Sequence, residues 1–320
     1  MKILANDGIS EEGKKALELA GYTVITDKVD QTELANKINE ENYEIVLVRS
    51  ATTVRKEVID ACPGLKLIGR GGVGMDNIDV AYAREKGLIV INTPASSSQS
   101  VAELVMGQMF SISRFLNDSY KNIEHGDFNT LKKNYAKGIE LRGKTLGIIG
   151  FGRIGQSLAS YALGIGMKVK AIELQPREVE LTLAEIPGYG TPKVKIEVDN
   201  DWNKVIPFCD FISVHIPKQA NGEAVIGTEE FKMMKKGVRL INAARGGVID
   251  ELALLSALEN GTVSYTALDV FENEPNPNKS LLNHPKIAAT PHIGAATLEA
   301  QDRIGLELAN LIIESFGVKN

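Results

Sequence analysis

Cysteine is nearly absent: the 320-residue chain holds only Cys62 and Cys209. Two thiols cannot build a disulfide framework, and neither stands in a metal-ligand spacing, so no metal site is expected. Basic residues are not in excess, with 36 Lys and Arg against 41 Asp and Glu and a formal charge of −5. Such a balance lacks the cationic footprint that phosphate neutralisation demands, which argues against nucleic acid as a partner. Long apolar runs are missing, and none approaches the roughly 18–20 residues of a membrane helix. The first apolar stretch stops at Ala5, before Asn6 and Asp7, too short for a signal-peptide core. These absences lead to the expectation of a cytoplasmic protein with no membrane partner. Histidine is scarce as well, at four residues, which narrows the search for a proton carrier.

What is present is an alternation of short β-branched runs with helical stretches. Lys2–Ala5, Thr23–Thr26, Ile45–Arg49, Leu65–Ile68 and Leu88–Asn92 read as strands. Glu11–Ala20, Gln31–Asn39, Arg55–Ala61 and Val80–Lys86 carry apolar residues at helix period between them. A β-α-β-α order predicts an α/β fold, a doubly wound parallel sheet covered by helices on both faces. Ser100-Val-Ala-Glu103 has the form of a capping box and would open a long apolar helix from Val101 to His125. A second series starts at Lys144, with strands at Leu146–Ile149, Lys168–Ile172, Phe211–His215, Arg239–Asn242, Ser264–Val270 and Ile287–Thr290. A last helix follows over Leu298–Phe316. The length suits two domains, and the change between them is placed near residue 98.

In the second series a strand runs straight into Gly150-Phe-Gly152-Arg153-Ile154-Gly155, with a helical stretch at once behind it. This is the G-x-G-x-x-G pattern, whose glycines serve a tight turn, close approach to a pyrophosphate and close helix–strand packing. The helix N-terminus offers unpaired N–H groups to the same pyrophosphate. Glu173, 18 residues past Gly155, ends the next strand, where a carboxylate can accept both adenosine ribose hydroxyls and repel a 2′-phosphate. NAD is therefore favoured over NADP, although Arg177, four residues on, could reach a phosphate.

Three further segments end a strand in a polar residue: Arg245 after Arg239–Asn242, Asp269 with Glu272 and Glu274, and His292 in Thr-Pro-His-Ile-Gly294. Ligands of open α/β sheets bind beyond the carboxyl ends of strands, so all three are expected at one crevice. The pattern suits hydride transfer from a hydroxyl-bearing carbon: an imidazole takes the hydroxyl proton, a carboxylate orients it, and an arginine holds the substrate carboxylate. His125 would end the long helix and His284 lie in a loop. His215 is open to two readings, as a lining residue of the cofactor cleft or a satisfied core histidine. Arg49 and Arg70 are either surface charges or substrate cations, and Lys132-Lys133 is read as a solvated face. The two cysteines are read as small buried hydrophobes.

Taken together, the glycine loop, Asn242-Ala-Ala-Arg245-Gly-Gly, Ala267-Leu-Asp269-Val-Phe-Glu-Asn-Glu274-Pro and Pro291-His292-Ile-Gly-Ala resemble the D-isomer-specific 2-hydroxyacid dehydrogenases over nearly the whole chain. Val48-Arg49-Ser50-Ala51-Thr52 and Gly69-Arg70-Gly-Gly72-Val73-Gly74-Met-Asp76-Asn77 resemble the branch acting on phosphoglycerate. The resemblance implies two Rossmann-like domains: residues 1–97 with 293–320 for substrate, and an inserted NAD domain over 98–292. It implies Arg245, Glu274 and His292 as the catalytic set. Gly150, Gly152, Arg153, Ile154, Gly155, Glu173, Ala243, Asp269, Gly294 and Ala295 would hold NAD, with Asp269 on the nicotinamide carboxamide. Arg49, Ser50, Arg70, Gly72, Val73 and Gly74 would form the substrate side. The expected reaction is oxidation of a small phosphorylated 2-hydroxy acid, 3-phospho-D-glycerate, by a homodimer paired through its cofactor domains. Reduction of hydroxypyruvate or glyoxylate, and a corepressor-like NAD(H)-sensing scaffold, are the alternatives the same resemblance carries. Two features depart from the commoner pattern: Glu173 stands where aspartate is more usual, and the chain stops just after its closing helix, which suggests a short form lacking a C-terminal regulatory domain.

Overall fold

A computed structural model of the chain describes residues 1–183 and 190–319. They fall into two compact units, Met1–Ser100 with Ala295–Asn320, and Val101–Gly294. The divisions lie after Ser100 and Gly294, where the sequence suggested 97 and 292. Among the described residues, no helix is long and apolar enough to cross a membrane.

The first unit is built on five parallel strands, β1 (Lys2–Ala5), β2 (Thr23–Ile25), β3 (Ile45–Val48), β4 (Leu67–Arg70) and β5 (Ile89–Asn92). Their order is β2-β1-β3-β4-β5. This is a doubly wound order that reverses between β1 and β3, and a ligand crevice forms beyond the strand ends at such a reversal. Every residue of β3 is buried, as a central strand covered on both faces requires. Helix Leu298–Phe316 covers one face with Ile304, Leu308 and Ile312, spaced by helix turns, and Thr297 caps it by accepting from the Ala300 N–H. Each such fully buried aliphatic side chain contributes about 1.5–3 kcal/mol.

The second unit carries eight strands. They are β6 (Thr145–Ile149), β7 (Lys168–Ile172), β8 (Arg177–Thr182), β9 (Lys193–Asp199), β10 (Phe211–Val214), β11 (Val238–Asn242), β12 (Val263–Leu268) and β13 (Ile287–Ala289). The order is β13-β12-β11-β10-β6-β7-β9-β8, reversing between β6 and β10. The α/β doubly wound class is as expected, with one exception: β8 is antiparallel to β9. These two strands were not anticipated, because β–α alternation predicts a crossover helix between neighbouring parallel strands. Their signal is period-two alternation, Glu-Val-Glu-Leu-Thr and Lys-Val-Lys-Ile-Glu-Val, with Leu181, Ile196 and Val198 buried and the charges outside.

The long helix also differs from expectation. It runs only over Ser98–Arg114, then breaks at Phe115, whose φ is 57°, before a short helix Leu116–Asn122. A left-handed non-glycine residue is costly. The Phe115 ring offsets that cost by packing edge-on against Tyr265 and stacking on Tyr135. His125 consequently ends no long helix and sits in an exposed turn. The capping box does not form either: the helix starts at Ser98, three residues earlier than expected, Ser100 Oγ bonds Thr297 Oγ1 at 2.9 Å, and Glu103 accepts from Tyr161. Both cysteines are buried, as expected.

Candidate active site

The glycine loop joins β6 to helix Arg153–Gly164, and each glycine meets a different demand. Gly150 has φ 91°, and a Cβ there would lie 2.5 Å from the His215 carbonyl oxygen. At Gly155 a Cβ would collide with the Gly150 carbonyl, so the helix packs onto the strand end only without one. Gly152 has an ordinary φ of −75°, and an added Cβ meets nothing within 4 Å. Protein sterics therefore do not require glycine at Gly152; a ligand pressed against the backbone would. No side chain caps this helix, so its first N–H groups, from Arg153 onward, are open to an anion. Ile154 is partly packed on the core. Glu173 follows β7 directly, its N–H held by the Asp199 carbonyl at 3.0 Å and its carboxylate facing Arg177. This donor set and carboxylate fit a dinucleotide.

Beyond β11, β12 and β13 the unit gathers its ionisable residues. Asn242 braces the turn after β11, donating to the Arg245 carbonyl at 2.9 Å and accepting from the Ala244 N–H at 3.0 Å. Ala243 is buried in that turn, and Arg245 donates to the Ala244 carbonyl at 2.6 Å. His292 Nδ1 lies 2.7 Å from Glu274 Oε2, while Glu274 Oε1 accepts from the Phe271 N–H at 2.9 Å. Burial alone would raise the Glu274 carboxyl. The His292 and Phe271 hydrogen bonds and the charges of His292 and Arg245 outweigh it and hold the group below the ordinary carboxylate value. A carboxylate can only accept, so Nδ1 carries the proton and Nε2 of the neutral ring keeps a free lone pair. Phe271, Pro275, Pro277, Leu282 and Pro291 wall an apolar cavity of about 350 Å³ beside the pair.

Asp269 braces the turn that carries His292. Its side chain is fully buried, accepting from Thr290 Oγ1 at 2.6 Å, the Ile293 N–H at 2.9 Å and the Gly294 N–H at 2.8 Å. Its backbone carbonyl accepts from the His292 N–H at 2.8 Å. Four bonds thus hold the turn in which His292 adopts a φ of 53°, an uncommon conformation for a side-chain-bearing residue. Thr290, held in turn by Gln108 at 3.0 Å, belongs to this anchor and was missed from sequence.

The other histidines are placed elsewhere. His284 Nδ1 accepts from the Lys286 N–H, as a loop residue. His215 follows β10 beside the glycine loop, with Nε2 2.9 Å from Ser213 Oγ and an enclosed Nδ1 without a hydrogen-bond partner. It is thus not a satisfied core histidine. Burial pushes its ring down to about 4, so it is neutral at neutral pH and no proton carrier there.

In the first unit, the strand-order reversal sets Asn6–Gly8 and Arg49–Ala51 around a polar cavity of about 500 Å³. Asp7 shapes it, accepting from the Arg49 N–H at 2.6 Å, the Thr52 N–H and hydroxyl, and Lys28 Nζ. Asn77 closes the same loop by donating to the Arg49 and Thr52 carbonyls. Lys28, a second cation in this cavity, was missed because only the strand order brings it beside Arg49 and Ser50. Arg70 turns to its own chain, 3.4 Å from both Ser50 Oγ and the Gly71 carbonyl. The Gly72–Gly74 loop beside it is held by Asn92 on the Val73 carbonyl and by the Thr93 N–H on Gly72. Ala295 is the first residue of the returning segment of this unit, its carbonyl held by Gln301.

Comparison with known proteins bears on these placements. The family model described as D-isomer specific 2-hydroxyacid dehydrogenase, NAD binding domain, matches residues 106–294. A D-3-phosphoglycerate dehydrogenase of Methanocaldococcus jannaschii is 41% identical over 313 residues, 98% of this chain but 57% of its own length. The chain thus spans little more than half of that relative. A hydroxypyruvate reductase of Thermotoga maritima is 39% identical over 321 residues, covering 99% of both chains. Among solved structures, the TT0316 protein of Thermus thermophilus superposes with a TM-score of 0.84 at 26% identity, over 100% of this chain and 99% of that one. Likeness of that extent, reaching strand ends whose chemistry already stands on its own geometry, means that this chain belongs to the D-isomer specific 2-hydroxyacid dehydrogenase family, with NAD as its cofactor.

Proposed function

We propose that the protein oxidises 3-phospho-D-glycerate to 3-phosphohydroxypyruvate with NAD, a reaction that leads into L-serine synthesis. The observation that carries the dehydrogenase reading is the 2.7 Å pair of His292 and Glu274 beside Arg245. His292 Nε2 takes the proton of the C2 hydroxyl as the C2 hydrogen leaves as hydride. Glu274 then faces an imidazolium, whose charge it stabilises. Arg245 holds the substrate carboxylate through its planar fork and polarises the forming carbonyl. Bound along the loop Gly150–Gly155, NAD supplies the hydride acceptor. Proton abstraction of this kind is worth about 10²–10⁴ in rate.

The phosphate reading rests on the cavity of the first unit. Arg49 and Lys28 supply cations there, with Ser50 as a further donor, in a chain whose net charge is otherwise negative. The first unit is accordingly proposed as the substrate-binding domain. Pairing of two copies through the second unit is supported by its exposed Leu116, Tyr120, Ile123 and Phe128. A second reading, reduction of hydroxypyruvate, is favoured by the end-to-end match to the Thermotoga maritima enzyme. The test is kcat/KM of purified protein on 3-phospho-D-glycerate and D-glycerate with NAD, and on hydroxypyruvate and glyoxylate with NADH. The highest value on 3-phospho-D-glycerate supports the first reading; a higher one on hydroxypyruvate with no gain from the phosphate replaces it with the second.

A further inference from the structure

The departure of the second sheet from β–α alternation has a consequence at the cofactor's adenosine end. After β7 a doubly wound sheet ordinarily sends the chain away along a helix. Here the chain turns back at once as β8, paired with β9 from Arg177 opposite Val198 to Thr182 opposite Lys193. The side chain four residues past the ribose acid therefore returns to the same strand end. Pro176, with its fixed φ, presets the turn, and Leu174 points out of it, 96% exposed. Arg177 Nη2 lies 2.7 Å from Glu173 Oε2 and 3.4 Å from the carbonyl of Phe151, inside the glycine loop. Its guanidinium thus joins the carboxylate to the loop, with about half of the side chain open to solvent.

We propose that Arg177 is a second determinant of cofactor choice, which orients Glu173 toward the ribose hydroxyls and offsets its charge enough for a 2′-phosphorylated dinucleotide to bind at a moderate penalty. An isolated carboxylate would set like charges a few ångströms apart against a 2′-phosphate. A guanidinium in contact with that carboxylate cancels much of the repulsion. Its fork also keeps N–H groups that Glu173 does not occupy, and these suit a phosphate. Glu173 and Arg177 act in opposite directions on the same atom of the ligand. Removing the acid should turn the site toward NADP, and removing the arginine should sharpen its preference for NAD. The inference rests on the NAD-binding assignment and not on the substrate proposed above.

The experiment measures calorimetric binding of 5′-AMP and adenosine 2′,5′-bisphosphate, which differ only in the 2′-phosphate, to wild type, Arg177→Ala, Arg177→Lys, Glu173→Gln and the double variant. Binding of 5′-AMP to wild type reports on the adenosine site by itself. Arg177→Ala should weaken the bisphosphate about ten- to a hundredfold relative to 5′-AMP, the loss of one charge-assisted contact. Arg177→Lys should recover part of that loss. Glu173→Gln should tighten the bisphosphate about tenfold, a gain the double variant loses. Equal losses on both ligands in Arg177→Ala, or no loss on either, would make Arg177 a structural or inert surface ion pair and overturn the proposal. So would a Glu173→Gln variant that still rejects the bisphosphate.

Discussion

Replacing Glu274 by glutamine keeps the size and shape of the side chain and removes only its charge. The structure makes that change consequential, because both carboxylate oxygens accept: one from His292 Nδ1 at 2.7 Å, the other from the Phe271 N–H at 2.9 Å. A glutamine has one acceptor atom for these two donors. With its oxygen toward His292, the amide NH₂ meets the Phe271 N–H, at a cost of about 1–3 kcal/mol for the donor left unpaired. With its oxygen toward Phe271, the NH₂ faces Nδ1 and forces the proton to Nε2, which can then no longer accept from a substrate hydroxyl. The wrong tautomer at such a pair costs a large part of the acid–base contribution, about 10²–10⁴ in kcat. In the fraction that keeps the right tautomer, the imidazolium has lost its charged partner. A charge-assisted bond is worth about 1.5–3 kcal/mol. The two side chains are 37% and 35% exposed, so the lower end applies. At about 1.4 kcal/mol per pH unit, the activity profile moves roughly one unit to lower pH. The assay is kcat against pH for wild type and Glu274→Gln, with NADH binding measured beside it. Unchanged kcat with an unshifted profile would refute the pairing as the source of proton transfer.

Three other perturbations separate the parts of the site. Gly152→Ala should fold with stability within about 1 kcal/mol of wild type, since its φ is ordinary and the methyl meets no protein atom, yet bind NADH at least tenfold more weakly by fluorescence titration. Arg49→Ala should raise KM for 3-phospho-D-glycerate about ten- to a hundredfold and leave D-glycerate little changed; equal losses would assign Arg49 to loop structure. Asp7 is held below the ordinary aspartate value: burial would raise it, but Lys28 and the Arg49 and Thr52 donors outweigh that. Its contribution to stability is therefore complete above the ordinary aspartate value and lost as pH falls through the lower folded one. Asp7→Asn should lower Tm at pH 7 and show a smaller further loss toward pH 3 than wild type.

Much of this was legible because parallel strands buried on both faces announce themselves as β-branched runs. Ile45–Val48 and Phe211–Val214 are buried throughout, and the strand-to-glycine transition at Ile149-Gly150 admits few other folds. His292 and Arg245 were readable because each lies within three residues of such a run, whereas Glu274, six residues past Leu268, was assigned to the histidine only by the family resemblance. What was not legible depended on geometry that local sequence does not encode. Phe115 looks like any helical aromatic, and only the Tyr135 and Tyr265 rings around it explain why the helix ends there. The antiparallel β8–β9 pair did carry its own signal in alternating charged and apolar residues, which the search for β–α alternation passed over. Asp269 was readable as a polar residue at a strand end, but its hold on the left-handed turn at His292 shows only in the structure. Lys28 reaches Asp7 and Arg49 only through a strand order that no local pattern states.

The proton-transfer role of His292 carries the account, and its replacement by alanine tests it most directly. Steady-state NADH formation from 3-phospho-D-glycerate, or NADH consumption with hydroxypyruvate if that is the better substrate, should be compared for wild type and His292→Ala, with NADH affinity titrated on both proteins. The expected result is a kcat lowered by about 10²–10⁴ with NADH affinity within a few-fold of wild type. A His292→Ala enzyme turning over at the wild-type rate would contradict it.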